Sequence, residues 1–105
     1  MNILHTDVVS SDTAETTSIW FAFEGQTRYV QVTRKKEYPD VAFFHCGACH
    51  ERWEEGIAPL EGTPAQMLVQ LFGADVPEWG EEPILGPMYL EERLWEGVII
   101  PPIPT

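Results

Sequence analysis

Eight of the nine prolines lie at or beyond Pro59, and this asymmetry limits what each part of the chain can become. Proline lacks a backbone N–H and fixes φ, so helix interiors and central strands exclude it. Long regular elements must come from the residues before Pro59, and the remainder can supply only short pieces between breaks. Charge is divided in the same way. Residues 1–36 carry four acids (Asp7, Asp12, Glu15, Glu24) and four bases (Arg28, Arg34, Lys35, Lys36) and are neutral as a unit. Residues 37–105 carry thirteen acids against Arg52 and Arg93, which accounts for the whole net charge of −11.

In the proline-poor part, Met1–Leu4 reads as a short strand. Ser10–Ser18, dominated by Ser, Thr, Asp and Glu, reads as a mobile loop. Ile19–Phe23 is aromatic and β-branched, Arg28–Thr33 is rich in Val and Thr, and Glu24-Gly25-Gln26-Thr27 lies between them. That pattern predicts a hairpin with Gly25 in its turn. Arg34-Lys35-Lys36 closes the strand with charge, as edge strands do to discourage further pairing. Tyr38-Pro39-Asp40 is a turn. Val41–His45 reads as a third strand running into Cys46-Gly47-Ala48-Cys49, after which His50–Glu54 returns as a strand or forms a helical turn.

Past Pro59, Thr63-Pro64 is a helix start, with Thr as N-cap and Pro at the first helical position. Met67, Leu68, Leu71 and Phe72 follow at helical spacing, and Gly73 is a terminator. Val76–Pro87 is irregular. Met88–Glu96 reads as a second helix, with Leu90 and Leu94 on one face, Trp95 beside them, and Glu92 and Glu96 on the wet side. Pro101-Pro102-Ile103-Pro104 makes residues 101–105 an extended tail. The expected fold is α+β: a small antiparallel sheet carrying two short helices on one face. The expected core is Phe21, Phe23, Val30, Val32, Phe43, Leu68, Leu71, Leu94 and Trp95.

A chain of 105 residues has room for one domain, spanning 1–105. With 44% hydrophobic and 11% aromatic residues it has the means to build a core, which argues against intrinsic disorder. No apolar run approaches the roughly 18 residues of a membrane span, and Met1–Ser10 lacks a basic start and an apolar middle. A cytoplasmic location without membrane contact is expected. The acidic balance disfavours direct binding to nucleic acid.

His45-Cys46-Gly47-Ala48-Cys49-His50 concentrates the reactive side chains, and four readings compete. Two cysteines separated by two residues on a tight turn can bind one tetrahedral zinc ion, completed by two of His45, His50 and His5 or with a carboxylate. Equally, two thiols in a reducing compartment pack as small hydrophobes and need no further role. A strand entering Cys-Gly-Ala-Cys resembles the thioredoxin active-site turn over Val41–His50. The long helix that lowers the thiol pKa in such proteins has little room before Gly56 and Pro59, so redox chemistry ranks behind zinc. Cys46-Gly47-Ala48-Cys49-His50 also resembles the attachment motif of c-type cytochromes. No export signal precedes it and strands surround it, so no haem is expected.

Glu54-Glu55, Glu81-Glu82 and Glu91-Glu92 are adjacent acids in polar segments, and nothing sets two of them across a pocket with divergent pKa values. No phosphate-binding glycine loop or nucleophile elbow is present. An enzyme is therefore not expected. Trp53, Trp79 and Trp95 each adjoin a glutamate, and core filling is their simplest use. Trp79, in Pro77-Glu78-Trp79-Gly80-Glu81-Glu82, is the best candidate for an exposed anchor ringed by carboxylates. The expected partner surface comprises Trp79, Glu78, Glu81, Glu82, Glu91, Glu92 and Glu96. Its natural complement is a basic protein surface, of the kind that holds nucleic acid. In size and charge, the chain resembles small inhibitors carried by phages and mobile elements, including DNA mimics and anti-CRISPR proteins. That resemblance is one of composition, and it implies a non-catalytic interaction module. A zinc-knuckle adaptor built on Cys46 and Cys49 is the alternative.

Overall fold

The computed structural model describes residues 2–46, 52–53, 62–73, 86, 90–96 and 99–104, with backbone alone at 44–46, 52–53, 92 and 94. Five strands, β1 (Asn2–Ser10), β2 (Ala14–Phe23), β3 (Gln26–Lys35), β4 (Ala42–Cys46) and β5 (Arg52–Trp53), form one sheet in the order β1-β2-β3-β4-β5. Every neighbouring pair is antiparallel, so the sheet is a meander of four substantial strands and a two-residue fifth. One α-helix, α1 (Pro64–Phe72), follows.

Local chemistry explains these elements. Phe23 faces Gln26 across a two-residue turn in which Glu24 and Gly25 both have positive φ, 49° and 79°. Such a turn matches the twist of the flanking strands, and glycine adopts it without steric cost. In α1, the Thr63 hydroxyl accepts from the Gln66 backbone N–H while the Gln66 side chain accepts from the Thr63 N–H. Gly73 ends the helix in the left-handed conformation and donates its N–H to the Val69 carbonyl. The hairpin and this helix agree with the sequence reading.

Alternate positions of the central strands build the core. Ile19 and Phe21 of β2, Val30 and Val32 of β3 and Ala42 of β4 meet Met67, Leu68, Leu71 and Phe72 of α1, together with Leu90 and Trp95. The Phe21 and Phe72 rings are 5.9 Å apart, a contact between β2 and the helix that covers it. The opposite sheet face carries a second aromatic set. Trp20 lies against His5 of β1 and Tyr29 of β3, at 5.4 and 4.9 Å between ring centres, and its indole N–H donates to the Pro101 carbonyl. Of the expected core, Phe21, Val30, Val32, Leu68, Leu71 and Trp95 are buried there, and Phe23 packs at its margin. Phe43 is buried on the other face, beside Tyr38 and beneath the Lys35 ammonium. The Leu94 side chain lies outside the described residues.

Several expectations are corrected. Among the described residues the fold is mostly β with a single α-helix, and not an α+β sheet with two helices. Where Met88–Glu96 was to be the second helix, the chain forms a four-residue 3-10 turn over Glu92–Trp95. The reason lies in the anchors: Leu90 and Trp95 are both buried. An α-helix would set residues five apart about 140° from each other, so no straight helix could bury both on one face. The loop expected over Ser10–Ser18 is confined to residues 11–13, and Ala14–Ser18 belong to β2. Thr16 and Thr33 share a cross-strand hydrogen bond of 3.1 Å and Thr17 is buried, so these polar residues serve a ladder. The first strand accordingly runs to Ser10. Arg34-Lys35-Lys36 guards no edge, because β3 pairs on both sides.

Candidate interaction surface

Beyond α1, the acidic segment 90–96 meets the sheet through two buried side-chain plugs, Leu90 and Trp95. Leu90 and Trp95 are 2% and 6% exposed, while Glu91, Arg93 and Glu96 around them face solvent. The plugs thus hold a short acidic strip outward. Beneath Trp95 lies Arg28, opposite Phe21 in the β2–β3 register and only 5% exposed. Its guanidinium stacks 5.0 Å from the centre of the Trp95 ring. A buried cation is costly in apolar surroundings, and an indole face offsets part of that cost.

Arg28 and Trp95, with Gln26, Arg93 and Glu96, line a depression of about 440 Å³. Its described lining offers amide, guanidinium and carboxylate groups and an aromatic wall. This chemistry suits recognition. At its rim, Arg93 and Glu91 form an ion pair of 2.9 Å between side chains 80% and 48% exposed, so the pair contributes little to stability. It does orient the Glu91 carboxylate.

A second cleft, of about 510 Å³, opens where the β1–β2 turn meets the end of β3. Arg34, Lys35 and Lys36 line it together with Ser10, Ser11 and Glu15. It is the basic counterpole of an acidic chain. One terminal nitrogen of Arg34 is buried there without a hydrogen-bond partner.

Of the expected partner surface, Glu91 and Glu96 are exposed at the first depression, and Glu92 is placed by backbone within the 3-10 turn. Glu78, Trp79, Glu81 and Glu82 lie outside the described residues. Of the expected metal ligands, His45 and Cys46 are the last two positions of β4, opposite Gln31 and Val30. Consecutive strand positions belong to opposite faces. Cys49 and His50 lie outside the described residues. Among the described residues, no group of three His, Cys, Asp or Glu could hold a metal ion. None of their helices is long and apolar enough to cross a membrane.

Sequence reasoning missed the Arg28–Trp95 pair, although its signal was present. Arg28 shares the period-two positions of Val30 and Val32, and that alternation carries it inward. Comparison with protein-family models, curated proteins and solved structures finds no match to this chain.

Proposed function

We propose that this protein is a non-catalytic acidic binding module that docks on a basic surface of another protein, in the cytoplasm. The observation that supports the reading is the outward acidic strip: Leu90 and Trp95 anchor the segment while Glu91 and Glu96 stay exposed. The segment belongs to the part of the chain that carries all the net charge. Carboxylates fixed on a small rigid sheet would steer encounter with a basic partner and occupy positions that phosphates take on it. The partner is accordingly a protein that holds nucleic acid, and the module acts as its inhibitor.

The test is capture of partners from the native host at low and then high salt, followed by competition with nucleic acid. Binding should weaken steeply with salt, because exposed charges are screened within about 8–10 Å at physiological ionic strength. Nucleic acid should displace the module. Salt-insensitive capture without such competition would leave the acids as solubilising surface.

Zinc binding is the second reading. The observation favouring it is the antiparallel pairing of His45 with Arg52, which returns the chain beside β4 directly after Cys46. A knuckle requires that reversal. Cys46 and Cys49 would supply the sulfurs, with His50 among the remaining ligands, since His45 belongs to the face opposite Cys46.

A further inference from the structure

We infer that β1 is a homodimerisation edge, along which a second copy of this chain adds its own β1 in antiparallel register centred on Thr6. β1 is the terminal strand of the sheet, and among the described residues it pairs through one side only. It is nine residues long and contains no lysine and no proline, two common guards of such edges. It also exposes apolar side chains: Leu4 is 43%, Val8 54% and Val9 63% exposed. A terminal strand that exposes apolar side chains is a template for strand addition.

The sequence of the edge selects its occupant. In an antiparallel pair centred on Thr6, His5 lies opposite Asp7 of the second copy, and Asp7 opposite the second copy's His5. Leu4 is the bulge residue and has no partner in the β1–β2 register, so the reciprocal pair of this edge is His5 with Asp7. Each of these hydrogen-bonding side chains meets its complement. Directly opposed side chains on one face are the pairs that stabilise a sheet. Moving the centre to Asp7 would set two carboxylates against each other, and moving it to His5 would leave both acids without the imidazole. The strand is thus complementary to itself in one register. The resulting two-fold axis stands perpendicular to the sheet and keeps both copies of α1 on the same side, an isologous arrangement. The bulge between Ile3 and His5 falls on Leu4 and limits the pairing at that end, so His5–Asp7 forms the regular part of the contact.

Sedimentation equilibrium of the intact chain, from micromolar to millimolar, reads this directly. The expected result is a concentration-dependent rise in mass from 11.9 kDa toward twice that value. Val8→Lys should weaken dimerisation by at least about tenfold, since an edge lysine opposes strand addition. Asp7→Lys should act likewise, and His5→Glu combined with Asp7→Lys should restore the dimer by setting a carboxylate opposite an ammonium in the same register. Thr6→Cys tests the register: two residues facing across the axis stand about 4.5–5.5 Å apart between Cα atoms, within disulfide reach. Mild oxidation should link that variant into dimers more completely than the parent chain, whose Cys46 and Cys49 provide the background. Circular dichroism of each variant checks that the sheet is intact. A chain that stays monomeric throughout, or a dimer that survives both Val8→Lys and Asp7→Lys, would overturn the inference.

Discussion

The Arg28 guanidinium stands over the Trp95 ring, joining the neutral first third of the chain to its acidic remainder. Both side chains are nearly inaccessible to solvent. Their attraction operates partly desolvated, where such pairs are worth about 1–2 kcal/mol. A double-mutant cycle with Arg28→Met and Trp95→Leu should return a coupling of roughly that size. Urea unfolding of the four proteins measures it, and strict additivity would show that the ring only fills space.

Leu71 of α1 and the plug Leu90 should be far from equal to surface positions. Leu71 is fully inaccessible and Leu90 nearly so. Leu71→Ala and Leu90→Ala should each cost about 2–4 kcal/mol through lost transfer energy and a residual cavity. A loss below about 1 kcal/mol at Leu90 would show that the acidic segment is held some other way.

Glycine is required at position 62 on two grounds. Its φ is 93°, and a Cβ there would overlap the Gln66 side chain that completes the helix cap. Gly62→Ala should therefore destabilise more than Thr63→Ala, which removes one capping hydroxyl at a cost of about 1 kcal/mol. Thermal unfolding of both variants gives the ranking. A reversed order would mean that the capping box shifts freely around the new methyl group.

Zinc at Cys46 and Cys49 makes its own prediction. Purified protein should contain about one ion per chain, or one shared by two chains, and a chelator should lower the melting temperature. Cys49→Ser should reproduce the chelator's effect. Metal-free protein with unchanged melting in Cys49→Ser would leave the thiols as packing groups.

For binding to a basic partner, reversal of Glu91 with Glu92, or of Glu81 with Glu82, should chiefly slow association. Trp79→Ala should instead speed dissociation, because an anchor acts after encounter. Stopped-flow or surface kinetics separates the two rates. Equal effects on both rates would remove the distinction between steering acids and anchor.

The legible parts of the fold were those governed by near neighbours. Gly25 between two β-rich stretches, and Thr63-Pro64 ahead of four spaced apolar residues, each carry their instruction within about ten positions, and both elements form as read. What was illegible depended on distant partners. Thr16 and Thr17 look like loop residues until Thr33 and Val32 stand beside them, and only then do they read as strand. Met88–Glu96 has helical spacing on paper, but its anchors fit a sheet face that the local pattern does not contain. At the candidate surface, the exposure of Glu91 and Glu96 followed from charge. The inward Arg28 did not, because its stabilising ring lies 67 residues further along the chain.

The hydrogen bond from the Trp20 indole to the Pro101 carbonyl spans 81 residues, whereas every strand pairs with its sequence neighbour. These contacts belong to different stages of folding. Neighbouring strands close short loops and assemble early, and during synthesis they can pair as soon as they leave the ribosome. Trp20 must wait for nearly the whole chain before its indole acquires that acceptor. Closing the aromatic face of the sheet thus depends on a contact of far greater sequence separation than those that build the meander.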